Sequence, residues 1–428
     1  MARSEYEMDA IRKRGGGFLR LRSKRLESVM LGLLVLLTTL NTAGVDAKVV
    51  GKLSIMVLLF VGYVGVVSVT SLRGYVSHRE LSVAVPSGLL VCIYLLSALG
   101  NGFGVRDLVV CGELAFLFSL FIVASRLSWG PASLNIVASS MSVFLTGSAI
   151  VWLRSGTPSS FMWYFTNPNI FGVYSYLSMF FPLAAALGID SPAKRLKWYI
   201  PILSGLIVIV SSGSRSVWLA VLGTAITYLL WGRLVQRPSL FSLWLVFVFA
   251  CIAGFVVVYS APADTVVSHT ISELSVRVTG KNLFSGRQRL WGPVIEAILA
   301  NPLTGHGASA VPGDIMATTL SAHNLYLQVT LQVGFVGLGV LLWLLCSIWR
   351  LFWCEGELAI ARLSGSFFVG ILIQQTYEVS LTQNNMTIGL LQWIIIGMGF
   401  SAMKLHENGS GMPQLDSIHR PITESMTH

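Results

Sequence analysis

The sequence predicts an all-α fold, a polytopic helical membrane protein with about 12 transmembrane helices and one long outer loop containing short helices. Three observations predict it. The chain of 428 residues is 54% hydrophobic and only 11% charged, whereas a soluble domain carries roughly 25% charged residues. Runs rich in Leu, Val and Ile recur from Val29 to Lys404 at close to the length that crosses a bilayer. Finally, positive charge gathers in alternate connections between these runs. The short alternating segments of an outer-membrane barrel are absent.

Taken in order, residues 1–28 form a basic tail with Arg3, Arg12, Lys13, Arg14, Arg20, Arg22, Lys24 and Arg25. Cations just before the first apolar run place the tail in the cytoplasm. A signal peptide is the competing assignment, but no small-residue cleavage site follows and apolar spans continue. The nine spans within 29–259 fall near 29–45, 53–70, 81–99, 107–125, 131–153, 169–189, 198–212, 215–232 and 240–259. A loop over 260–323 follows, then spans near 324–349, 362–380 and 386–404, and a polar cytoplasmic tail over 405–428. With the N-terminus inside, the inner connections hold Arg73, Arg79, Arg126, Lys194, Arg195, Lys197, Arg233, Arg237, Arg350 and Arg362. The short outer ones hold only Lys48, Lys52, Arg106 and Arg154. The net charge of +10 is therefore a topology signal, and no nucleic-acid partner is expected. The five cysteines form no CxxC pair, so neither a disulfide framework nor a zinc site is indicated.

The long loop differs from every other connection. It balances Arg277, Lys281, Arg287 and Arg289 against Asp264, Glu273, Glu296 and Asp314. From Arg289 to Leu299, the residues Leu290, Trp291, Val294, Ile295 and Ile298 recur at helical spacing, and Asn301-Pro302 ends the run. This predicts a short helix lying along the membrane surface.

Three polar clusters would meet at the outer face. In Ser211-Ser212-Gly213-Ser214-Arg215-Ser216, Gly213 permits a tight turn and Ser214 can cap the next helix. The helix-start amides and the Arg215 guanidinium then make an anion site; a snorkelling arginine in an ordinary loop is the alternative. Lys281, Arg287 and Arg289 precede or open the short helix. They suit a phosphate-bearing ligand or simple attachment to anionic headgroups. His323, in Ala322-His323-Asn324-Leu325-Tyr326, stands where the chain re-enters the membrane. It could accept a proton from a sugar hydroxyl near neutral pH, or merely cap a helix. Glu378, near Gln374 and Gln375, is a weaker candidate for sugar binding beside a structural pairing. Two or three guanidiniums and one base are the minimum parts for moving a sugar off a diphosphate.

These stretches resemble the O-antigen ligase and O-antigen polymerase superfamily of bacterial membrane glycosyltransferases. The resemblance covers about 165–345. It rests on Asn167-Pro168-Asn169, Ser212-Gly213-Ser214-Arg215, Gly286-Arg287 with Trp291, Asn301-Pro302-Leu303-Thr304-Gly305-His306-Gly307, and His323-Asn324-Leu325-Tyr326-Leu327 leading into Gln332-Val333-Gly334-Phe335-Val336-Gly337-Leu338. It implies a metal-independent, inverting glycosyltransferase of the inner membrane, without a cofactor, working on the periplasmic face. The donor would be a glycan on undecaprenyl diphosphate. The implied catalytic residues are Arg215, Arg287 and His323. Arg289, Lys281, Ser214, Trp291, Asn324 and His306 are expected to bind substrate, and Arg289 fits the place of Arg287 two residues on.

Two activities in that superfamily compete. A polymerase joins lipid-linked repeats of an exopolysaccharide or O-antigen, and a ligase passes the finished chain to lipid A-core. A ligase must dock a phosphorylated core on a basic surface, and the charge-balanced loop favours the polymerase. The partners follow: the lipid-linked glycan, a glycan or lipopolysaccharide-core acceptor, membrane lipid, and other polysaccharide export proteins. A polysaccharide or lipid transporter is the third possibility, against which stands the absence of an internal repeat.

Overall fold

The computed structural model describes residues 78–407 except 128, 166, 190, 261–269, 271–272, 274–275, 278–287, 317–320, 355 and 357. The first two expected spans, the basic tail, the polar tail beyond Glu407, Lys281 and Arg287 lie outside the described residues. The described chain is helical: α1 His78–Gly100, α2 Val105–Arg126, α3 Pro131–Arg154, α4 Pro168–Leu187, α5 Pro192–Ser212, α6 Arg215–Gln236, α7 Pro238–Ser260, α8 Gln288–Ala300, α9 Leu325–Cys354, α10 Ala359–Gln374 and α11 Met386–Glu407. Eight of these are long and apolar enough to cross a membrane, and α10 and part of α11 form shorter apolar helices. Every apolar run expected after residue 80 is one of them. The protein is a multi-pass helical membrane protein.

Prolines punctuate the bundle where they cost least. Pro131, Pro168 and Pro192 occupy the first turns of their helices, where the missing N–H would have had no partner. α4 is buried along nearly its whole length and packs against α3 and α5. α7 is the opposite case. It buries one stripe, Phe241, Leu245, Val248, Ile252 and Tyr259, and leaves Leu243, Val246, Phe247 and Val257 exposed. Such a face is stable only against hydrocarbon. Where α1 begins and α2 ends, Arg126 Nε and Nη2 donate to the two carboxylate oxygens of Glu80 at 2.8 and 3.2 Å, both side chains buried.

Two local departures from the expected pattern shape the other end. The run at 362–380 is helical only to Gln374; the chain then turns irregularly, with Gln375, Thr376 and Val379 to Gln383 buried. Hydropathy missed this end because the turn is paid for by polar partners and not by a charge or a proline. The amide of Leu325 donates to the Gln375 carbonyl at 2.9 Å, and Leu381 N–H to Gln375 Oε1 at 3.0 Å. The second departure is in α9, where Gly334 takes φ 68° and ψ −172° and breaks the helix. The Pro302–Gly307 loop fills the break: Phe335 N–H donates to Pro302 O at 2.7 Å, and His306 N–H to Leu331 O at 2.9 Å.

Connections from one end of the bundle meet there. Ser97 Oγ on α1 donates to Thr304 O at 3.0 Å, Ser309 N–H to Asp107 Oδ1 at 2.8 Å, and Phe161 N–H to Ser211 O at 3.0 Å. α6 and α10 run antiparallel, with Gly365 on Trp231, Gly370 on Thr224 and Gly223 on Ile373. The start of α6 and the end of α10 therefore reach this same end.

Candidate functional site

The α5–α6 turn is built as its sequence suggests, with one difference. Gly213 ends α5 in the left-handed region at φ 66°, the conformation that favours glycine. Ser214 occupies the cap position of α6, but its hydroxyl meets Ser216 Oγ at 3.2 Å and no side chain caps the first turn. Half-buried Arg215 thus stands at a helix start that the Ser214 side chain does not cap. Gly172, in the first turn of α4, lies against Ser212 and Ser214, so a larger residue would dislodge the turn. Asn167, of the Asn-Pro-Asn stretch, caps α4 by accepting the Asn169 amide at 2.7 Å.

α8 forms where the amphipathic run predicted it, one residue longer at each end. Its apolar face does more than lie on a surface. Leu290, Trp291, Val294 and Ile298 are buried with Tyr259 of α7 and Leu327 and Leu331 of α9 in a second, smaller core. Trp291 is fully buried and its indole N–H donates to Ala322 O at 2.8 Å. Arg289 is exposed on the same first turn. This indole ties the helix that bears Arg289 to the residue before His323.

His323 is held from both sides. Its own φ is 46°, a conformation non-glycine residues seldom adopt and that persists where neighbours enforce it. Before it, Ala322 N–H donates to Gln328 Oε1 at 3.2 Å. After it, buried Asn324 caps α9 by accepting the Leu327 amide at 3.0 Å, and its Nδ2 donates to Thr376 O at 3.1 Å. The imidazole Nδ1 lies 3.5 Å from Glu378 Oε2, both side chains partly buried. Glu378, which the sequence offered as a weak sugar-binding candidate or a structural pair, is the histidine's carboxylate neighbour. Proximity to Gln374 and Gln375 was the only sequence signal, since pairing over 55 positions depends on where α10 ends.

His306 sits elsewhere. Its Nε2 is 2.7 Å from Ala297 O, and its Nδ1 is 3.4 Å from the Asn301 amide. One ring nitrogen thus meets the last turn of α8 and the other Asn301 just after it, so this side chain braces the α8-to-α9 connection against α8.

An apolar groove of about 270 Å³ runs between α6, α7 and α10. Its walls include Leu219, Leu222, Phe247 and Phe255, and Thr376 and Tyr377 line it beside Glu378. Leu219, Leu222 and Phe247 are also exposed on the lipid-facing exterior. Leu219 lies one helical turn from Arg215. The groove therefore lies along the apolar exterior next to the end where α6 begins and α10 ends, with Leu219 and Tyr377 its lining residues nearest in sequence to Arg215 and Glu378. Among the described residues, no group of three His, Cys, Asp or Glu could hold a metal ion.

Residues 200–344 match the family model described as O-antigen ligase. The match begins in α5 and ends within α9, taking in the Arg215 turn, α8, the Pro302–Gly307 loop and His323. The superfamily resemblance carried by these motifs is therefore shown over this part of the chain. No curated protein matches the chain.

Proposed function

With the O-antigen ligase match as premise, we propose that the protein transfers a glycan from undecaprenyl diphosphate to an acceptor hydroxyl, on the periplasmic face of the bacterial inner membrane. Both termini are then cytoplasmic. The observation that carries this is the His323–Glu378 pair at the bundle end where α6 begins with Arg215, beside a groove open to lipid. A donor of this class has an apolar tail, a diphosphate and a sugar. The groove suits the first, Arg215 with the uncapped α6 amides suits the second, and His323 acts at the third.

In the proposed reaction the acceptor hydroxyl oxygen attacks the anomeric carbon and its proton passes to His323 Nε2. The bond from that carbon to the phosphate oxygen breaks, and the electron pair leaves with undecaprenyl diphosphate. Attack from the face opposite the leaving group inverts the anomeric centre. The Glu378 carboxylate, 3.5 Å from Nδ1, stabilises by its charge the imidazolium that forms. The charge developing on the diphosphate is met by Arg215 and by Arg287 or Arg289, fixed cations that need no metal. Lys281 adds to that field. Ser214, Trp291 and Asn324 shape the site, and His306 supports it through the loop it braces.

The favoured outcome is polymerisation of exopolysaccharide or O-antigen repeats, on the even charge balance of residues 260–323. The ligase alternative has the family description on its side. Glycan analysis of a deletion strain separates them. Single repeats without polymer mean polymerase, full-length polymer stranded on the carrier means ligase, and unchanged linkages with altered export mean a transporter. Arg215→Ala should leave the protein in the membrane and lower transfer by roughly 100- to 1000-fold, the effect of losing one charge-stabilising donor. Normal polymer length and yield in that variant would remove Arg215 from the site.

A further inference from the structure

The mechanism above leaves unused the loop that joins α3 to α4 at the Arg215 end. From Ser155 to Phe165 it has no charged residue and combines hydroxyl-bearing with aromatic side chains. Its backbone is constrained. Gly156, Thr157, Ser160 and Trp163 have φ of 81°, 54°, 59° and 45°, and L-residues avoid this region because Cβ crowds the backbone. Three non-glycine residues in seven persist there because contacts over-determine them. Phe161 N–H donates to Ser211 O at 3.0 Å, Trp152 Nε1 to Pro158 O at 3.0 Å, and the buried Phe161 and Phe165 rings pack on Phe171.

The outcome of this anchoring is the placement of Trp163. Its ring stacks on Phe144 at 6.4 Å and 24°, Tyr164 closes on it edgewise at 4.5 Å, and 37% of the residue stays exposed. An indole held between two rings loses less conformational freedom on binding than a free one, and its electron-rich face attracts the C–H groups of a sugar ring. The Ser211 carbonyl that fixes the loop is four residues from Arg215.

We propose that Trp163 is a stacking platform for a pyranose ring of the lipid-linked glycan, next to the diphosphate subsite at Arg215. This rests on the glycosyl-transfer function proposed above. The test uses the full chain in lipid nanodiscs and two probes: lipid-linked glycan extracted from a deletion strain, and undecaprenyl diphosphate without sugar. Trp163→Ala should raise the Kd for the lipid-linked glycan roughly tenfold and leave that for the bare lipid diphosphate unchanged. Trp163→Tyr should restore most of the loss, while Arg215→Ala should weaken both probes. An unchanged Kd for the glycan probe in Trp163→Ala, or an equal rise for both probes, would overturn the platform and leave the Arg215 assignment standing. Failure of the wild-type chain to bind either probe would overturn both.

Discussion

At the level of single residues, the charge of Glu378 sets how well His323 can take up a proton. Glu378→Gln keeps the volume but removes the charge that stabilises the imidazolium. Transfer by this variant should fall roughly tenfold to a hundredfold, less than the roughly 100- to 10,000-fold of a general base lost outright because His323 remains, with donor binding unchanged. Glu378→Asp should recover part of the rate. Single-turnover assays on donor-saturated protein check this, and full activity in Glu378→Gln would reduce the 3.5 Å contact to packing. Arg215 and His323 were legible in the sequence because each sits in a short polar stretch between apolar runs. Their supports were not. The left-handed backbone at His323, its clamp by Trp291 through Ala322 and its carboxylate neighbour all depend on long-range contacts. Trp163 was not singled out for the same reason: its loop, around 154–168, stood out among the outer connections by length alone.

At the scale of the element, the break in α9 shows how two sequence motifs work as one structural unit. Gly334 and the Pro302–Gly307 loop approach so closely that a Cβ at Gly334 would overlap the Leu303 carbonyl, and one at Gly305 would overlap the Gln332 backbone. Gly334 has φ 68° and Gly305 φ 70°, so side chains are excluded by conformation as well as by space. Gly334→Ala should destabilise the protein by about 3 kcal/mol or more, seen as a lower Tm in detergent and poor recovery from membranes. A wild-type Tm would show that the break is not required. Helix existence was legible throughout the described chain, because hydrocarbon demands long apolar runs. The end of α10 and the break in α9 were not, because buried polar partners such as Gln375 and a glycine-lined loop replace the helical hydrogen bonds locally.

At the scale of the whole molecule, hydrophobic matching to lipid and a few buried polar ties hold the bundle together. The Glu80–Arg126 pair joins the start of α1 to the end of α2. Removing one partner strands a buried charge, at a cost of roughly 3–5 kcal/mol. Arg126→Ala should therefore lower the Tm markedly, and adding Glu80→Gln should restore part of it; equal Tm values for all three proteins would contradict the tie. Charge placement in the sequence predicted a topology in which Arg215 and His323 share one face. The antiparallel packing of α6 and α10 brings their helix ends together independently of any charge rule. The sequence offered no view of the groove between α6, α7 and α10, since its walls are apolar residues like those of every other lipid-facing helix. The most direct test of the whole is a transfer assay with the purified full chain in nanodiscs, supplied with lipid-linked glycan from a deletion strain. Wild-type protein should convert it to a longer or transferred glycan and release undecaprenyl diphosphate, and Arg215→Ala and His323→Ala should not. Absence of product from the wild type, or equal product from these variants, would contradict the account.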